Sequence, residues 1–204
     1  RQEAGVLATG GFVSAPVVLA ARSLKMPVVL VNVDSVPGKA NRFLGRSARK
    51  IFVQFERTKG AFAKQGSRVE VSGCPLRRDF NRPNADGIKE TLNLDPDRKV
   101  LLVIVASSGA RSINRAALSV LPDLDRFADR WQVVHLTGPA NFGAIREARP
   151  ETRIPYVPVD YCDRMADLLA AADLVVGRSG AVSVAEYMRT GKPAVCMPYP
   201  HHKD

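Results

Sequence analysis

The chain has 204 residues, 46% of them hydrophobic, three cysteines far apart in sequence, and a formal net charge of +10. This content supports packed cores and argues against disorder. No apolar run approaches the ~18 residues of a membrane-spanning helix, and the cysteine spacing suggests neither a disulfide framework nor a zinc site. Residues 1–80 hold 14 Lys and Arg against 5 Asp and Glu, whereas the remainder holds 16 against 15. Such a one-sided field attracts nucleic acid, anionic lipid headgroups or pyrophosphates, and is equally compatible with a solvated surface.

Along the chain, apolar β-rich runs alternate with helical patterns. "AGVLATGG" precedes "APVVLAARSLK", and "PVVLVNVD" precedes "KANRFLGRSAR"; "KIFVQF" and "RVEVSG" follow. After a polar, proline-punctuated stretch with a short predicted helix in "ADGIKETLNL", the series resumes with "KVLLVIVAS", "SINRAALSVLPDL", "WQVVHLTG", "IPYVPV", "MADLLAAA" and "DLVVGRSG". Near-continuous Val/Leu/Ile strands separated by helices predict an α/β class with parallel sheets covered on both faces. The boundary is placed near residue 80. Arg1 opens almost directly into a strand and a glycine turn, so the first domain is expected to be incomplete, with sequence missing upstream.

Three strand-to-helix turns share one design: "ATGGFVSAP" (8–16), "ASSGAR" (106–111) and "GRSGAVS" (177–183). Small residues let the backbone turn tightly, and the helix that follows offers unpaired N–H groups with a partial positive charge, an arrangement that binds phosphate. A single such turn is often only tight packing; three at the ends of parallel strands are where open α/β sheets bind ligands. The spacing of G-x-G-x-x-G is absent, and Lys192 is followed by proline where a Walker motif needs a hydroxyl, which disfavours dehydrogenases and P-loop NTPases. If the third helix starts near Ala181, Ser183 falls in its first turn and Glu186 on a neighbouring face. A carboxylate there can accept two hydrogen bonds from a ribose while Ser107 or Ser183 meets phosphate oxygens. The alternative is a solvent-facing Glu favoured by the helix dipole.

The landmarks "TGGFVSAP", "PGKANRFLGRSA", "VSGCPLRRDF", "SSGARSIN", "VVHLTG" and "ADLVVGRSGAVSVAEYMRTGKPAVCMPYPHHKD" resemble, in order and over nearly the whole chain, those of the MurG glycosyltransferases of family 28. The resemblance implies a GT-B fold: two Rossmann-like domains, with residues 1–80 a partial N-terminal acceptor and membrane-side domain and residues 81–204 a C-terminal UDP-sugar-binding domain that also lacks its end. It implies transfer of N-acetylglucosamine from UDP-N-acetylglucosamine to a lipid-linked pyrophosphate acceptor in peptidoglycan synthesis, by a peripheral protein on the cytoplasmic face of the bacterial plasma membrane. The alternatives are a related glycolipid glycosyltransferase and a non-catalytic UDP-binding descendant.

Carried over by matching positions, the resemblance assigns the donor site to Arg77, Ser107, Cys162 and the stretch Gly180, Ala181, Val182, Ser183, Val184, Ala185 and Glu186. Glu186 would hold the ribose hydroxyls, Arg77 the donor phosphates, and Cys162 the uracil through its backbone. The acceptor pyrophosphate would fall to Gly10, Gly11, Phe12 and Ser14, with Asp34 nearby. Two departures stand out: the family's double glycine before Ser107 is Val105-Ala106, and its His-Glu-Gln-Asn stretch is "VNVD" at 31–34, so that Val31 replaces a histidine and Asp34 adds a negative charge. The resemblance supplies no catalytic base, no tightly bound cofactor and no metal ligand; a divalent-metal requirement is left open.

The segment "ANRFLGRSARKIF" sets Phe43, Leu44 and Ile51 among Arg42, Arg46, Arg49 and Lys50. As a basic amphipathic helix it would suit an anionic membrane face, each cation adding about 1 kcal/mol near the surface; it could equally be a core-facing stripe with a solvated back. His135 is expected to be a hydrogen-bonded strand-end residue rather than a base. Without interleaved aromatics or a recognised motif, nucleic acid is not an expected partner.

Overall fold

The computed structural model describes residues 4–105 and 111–198. They fall into two compact units, Arg1–Pro75 and Leu76–Asp204. In the first unit, β1 (Val6–Ala8), β2 (Val28–Asn32), β3 (Lys50–Val53) and β4 (Val69–Val71) form a parallel sheet in the order β1-β2-β3-β4. Helix α1 (Ser14–Ser23) connects β1 to β2, and α2 (Lys39–Leu44) connects β2 to β3. Strict alternation along β2 puts Val28, Leu30 and Asn32 in the interior, where Leu30 meets Val18 of α1 and Ile51 and Val53 of β3 in one apolar cluster.

The predicted basic helix over "ANRFLGRSARKIF" does not form as one element. Helix α2 ends at Leu44, and Ile51 belongs to β3. Leu44 and Ile51 are buried in the core and only Phe43, 47% exposed, presents an apolar surface. The strand wins because Ile51 pairs with Leu30 and Val69, completing the parallel ladder. A further departure is the helical stretch Glu56–Arg68, of 3₁₀ type and broken at Phe62 and Gly66, which anchors itself through buried Phe62 and carries no helical periodicity in sequence.

The second unit has five parallel strands in the order β7-β6-β5-β8-β9: β5 (Lys99–Ile104), β6 (Trp131–Leu136), β7 (Tyr156–Val159), β8 (Leu174–Arg178) and β9 (Ala194–Met197). The α-helices are α3 (Ala85–Thr91), α4 (Arg111–Leu124), α5 (Phe142–Glu147), α6 (Met165–Ala171) and α7 (Ala181–Thr190). Right-handed crossovers fix the layering. The chain moves from β5 through β6 to β7 in one direction, then returns past β5 to β8 and β9. Ile113 and Leu121 of α4 and Ile145 of α5 therefore pack on one face with Val103 and Val133. Leu168 and Leu169 of α6 and Tyr187 of α7 pack on the other with Leu102, Val134 and Val175. This reversal of strand order between β5 and β8 is the point where an open parallel sheet forms a crevice at its carboxyl ends.

Candidate nucleotide-diphosphate site

Helix α7 starts at that crevice. Its N-cap, Gly180, is extended (φ −60°, ψ 145°), no side chain caps it, and the first α-helical bond runs from Val184 N–H to the Gly180 carbonyl at 2.9 Å. The amides of Ala181, Val182 and Ser183 thus have no partner within the helix and carry the positive end of its dipole. Among the described residues, a Cβ on Gly180 would meet only the Ser183 hydroxyl, at 3.7 Å. Glycine therefore relieves no clash here; it leaves the approach to these amides open.

Gly177, three residues earlier in β8, is required by packing, since a Cβ there would lie 2.5 Å from the Tyr187 hydroxyl. Burial pushes that hydroxyl up to about 12, so it stays protonated and wedges α7 against the end of β8. Arg178 donates to the Pro198 carbonyl at 2.9 Å, tying the ends of β8 and β9 together beside the helix start.

Glu186 lies on the second turn of α7 and is half-buried. Burial raises its carboxyl above the ordinary range, Arg77 pulls it down and Asp79 pushes it up. Arg77 is therefore within electrostatic reach of Glu186, although they are far apart in sequence. Arg77 precedes a 3₁₀ turn, Arg78–Asn81, that is pinned by buried Phe80. Its Nη1 donates to the Asp163 carbonyl at 2.9 Å, and its Nη2 reaches the Asp79 carboxylate at 3.1 Å. Asp163 follows Cys162, which packs against the same core as Phe80; burial pushes the Cys162 thiol up, leaving it a neutral thiol. Within this unit Arg77 is thus tied to the Cys162–Asp163 loop and acts electrostatically on Glu186. Ser107 lies outside the described residues.

In the first unit, Gly10 and Gly11 have φ of +98° and +80°, a turn open to glycine and strained for other residues. The Ser14 hydroxyl donates back to the Gly10 carbonyl at 2.6 Å and Phe12 is 86% exposed. The Asp34 side chain is exposed, and its backbone carbonyl accepts from Asn32 Nδ2 at 2.7 Å. The sequence reading missed the pair that shapes this turn. Asn41 Nδ2 donates to Asn32 Oδ1 at 2.8 Å, both residues are buried, and a Cβ on Gly10 would run into the Asn41 carboxamide. Two asparagines nine residues apart, one in a strand and one in a helix, carry no periodic signal.

His135 lies within β6, fully buried, with Nδ1 2.8 Å from the Tyr156 hydroxyl. Desolvation lowers it to about 4, so the ring is neutral at pH 7. Among the described residues, no group of three His, Cys, Asp or Glu side chains could hold a metal ion, and no helix is long and apolar enough to cross a membrane.

Two Rossmann-like parallel units, one carrying an uncapped helix start and a carboxylate at its topological switch point, define the GT-B class of α/β proteins. The pattern of the glycosyltransferase family 28 C-terminal domain matches residues 100–204, and that of the family 28 N-terminal domain matches residues 2–53. The chain belongs to glycosyltransferase family 28.

Similar proteins include the UDP-N-acetylglucosamine--N-acetylmuramyl-(pentapeptide) pyrophosphoryl-undecaprenol N-acetylglucosamine transferases of Halalkalibacterium halodurans and Syntrophotalea carbinolica. The first is 34% identical over 96% of this chain and 53% of that protein, the second 38% identical over 96% and 52%. The chain thus spans about half the length of the curated relatives it matches. Among solved structures, Acinetobacter baumannii MurG aligns with a TM-score of 0.68 at 22% identity, over 97% of this chain and 53% of that one. The UDP-GlcNAc 2-epimerase of Neisseria meningitidis bound to UDP-GlcNAc aligns with a TM-score of 0.70 at 15% identity, over 94% and 58%. At these identities the two structures speak for the fold alone.

Proposed function

We propose that the chain belongs to an inverting glycosyltransferase that moves N-acetylglucosamine from UDP-N-acetylglucosamine to a lipid-linked pyrophosphate acceptor, the step that converts lipid I to lipid II in peptidoglycan synthesis. The observation that carries this reading is the pairing of the uncapped start of α7 with Glu186 on its second turn, at the switch point of the second sheet. The amides of Ala181 to Ser183 hold the diphosphate, and Glu186 accepts from the ribose hydroxyls. Arg77 balances charge growing on the departing diphosphate. The backbone beside Cys162 contacts the uracil, and Val184 and Ala185 complete the helix surface that faces the nucleotide. Residues 76–204 form the donor side.

The first unit takes the acceptor side. Its Gly10-Gly11 turn and the start of α1 meet the acceptor pyrophosphate, with Ser14 holding the turn and Phe12 beside it. The Asp34 side chain is exposed, so water and salt screen its charge. Exposed Leu19, Leu24 and Phe43 among Arg22, Lys25, Arg42, Arg46 and Arg49 suit an anionic membrane surface. That surface is the cytoplasmic face of the bacterial plasma membrane.

A second reading, a UDP-binding descendant without transferase activity, is favoured by Val31 and Asn32, which put neutral groups where the family's His-Glu pair stands. Isothermal titration of the chain with UDP is expected to show binding, while the same chain turns over no sugar. Absence of UDP binding refutes both readings. Assay of the intact protein with lipid I and with diacylglycerol as rival acceptors separates transfer to lipid I from glycolipid synthesis and from no transfer.

A further inference from the structure

Resting on the donor-site reading above, we propose that Asp79 is a positioning residue: with the Asp163 carbonyl, it holds the Arg77 guanidinium in the orientation that meets the donor diphosphate. Arginine is a long, mobile side chain, and its usefulness toward a phosphate depends on where its planar fork is held. Here two of its five N–H donors are committed, one from each terminal nitrogen, to Asp163 O at 2.9 Å and Asp79 Oδ2 at 3.1 Å.

Both anchors are themselves fixed. Asp79 sits in the 3₁₀ turn Arg78–Asn81, nailed to the core by Phe80 and preceded by Leu76, which packs on the same cluster. Asp163 is held between Cys162 and Met165, which also pack there. The fork therefore has a fixed plane, with three N–H groups left over for a ligand.

The opposing effect is electrostatic: a carboxylate beside the arginine lowers the positive field that an incoming diphosphate meets. Side-chain exposures of 51% for Arg77 and 40% for Asp79 leave this repulsion screened by water and salt. Orientation is not screened, because it is set by covalent geometry and the two hydrogen bonds. The two effects have opposite signs, so one substitution separates them.

The experiment is a double-mutant cycle on UDP affinity, measured by isothermal titration with the wild-type chain, Arg77→Ala, Asp79→Asn and the double variant. Asp79→Asn keeps the size of the side chain and removes its charge. With Arg77 present it is expected to weaken UDP binding about three- to fivefold, the range of a partly exposed ion pair. In the Arg77→Ala background the same change is expected to cause no loss. Asp79→Glu, which retains the charge, is expected to recover part of the affinity. Binding by Asp79→Asn as tight as wild type or tighter overturns the proposal, as does an equal loss in both backgrounds. If wild type and Arg77→Ala bind UDP equally, the proposal falls together with the assigned role of Arg77, while the Glu186 grip on the ribose stands or falls on its own test. If wild type binds no UDP, the donor-site reading falls as well.

Discussion

Acid should loosen the second unit through a single buried imidazole. His135 is fully buried in β6, its Nδ1 is matched to Tyr156, and its Nε2 meets no hydrogen-bond partner among the described residues. Its folded-state value is about 4 against an ordinary 6.5. A histidine depressed by folding favours the native state while it is neutral. That contribution is intact above the unfolded value and is lost as pH falls toward the folded one. Between pH 7 and pH 5 the loss is about 2 kcal/mol, and it approaches about 3 kcal/mol below pH 4.

Urea unfolding read by fluorescence measures this directly, because the single tryptophan, Trp131, is on the same strand. His135→Phe should remove this loss of about 2 kcal/mol between pH 7 and pH 5, leaving only the dependence carried by the other groups. Asp125 and Asp167, whose carboxyls are held below the ordinary range by hydrogen bonds, lose their contributions only at lower pH. Glu186, raised by burial, acts in the opposite direction and is common to both proteins. Equal pH dependence of wild type and His135→Phe would refute the reasoning.

Three further outcomes follow from the packing. Gly10→Ala puts a methyl group into the Asn41 carboxamide at a φ of +98° and should destabilise the first unit by about 2–3 kcal/mol, read as a lowered thermal midpoint. Asn41→Leu, which keeps bulk but leaves Asn32 Oδ1 buried without its donor, should cost about 1–3 kcal/mol by the same measurement. Gly177→Ala should destabilise the second unit by about 1–3 kcal/mol through overpacking against the Tyr187 hydroxyl, and Tyr187→Phe should relieve much of it in the double variant, seen in urea midpoints.

Much of the architecture was legible in the sequence because parallel strands announce themselves as apolar runs, and glycine after such a run marks the turn into a helix. That logic located α7, Gly180 and Glu186 correctly relative to one another, since helix geometry fixes the spacing within a single element. It failed where a residue's state depends on distant partners. "ANRFLGRSARKIF" has the composition of an amphipathic helix, yet its end is also the start of the β-rich run "KIFVQF", and the pairing of Ile51 with Leu30 and Val69 decides for β3. The stretch Glu56–Arg68, interrupted by Gly60 and Gly66, offered no period to follow. The Asn32–Asn41 bond and the clamp on Arg77 join residues from separate elements through single hydrogen bonds, which no local pattern encodes. Arg77 itself was found through motif resemblance and not by physical reading of "CPLRRD".

The proposed grip of Glu186 on the ribose is tested most directly by titrating the wild-type chain and Glu186→Ala with UDP and with 2′-deoxy-UDP at pH 7.5. The account predicts that wild type prefers UDP, that Glu186→Ala loses about ten- to a hundredfold in UDP affinity, as expected for charged hydrogen bonds, and that the variant no longer distinguishes the two nucleotides. Undiminished UDP affinity in Glu186→Ala, with the preference for the ribose hydroxyl intact, would contradict it.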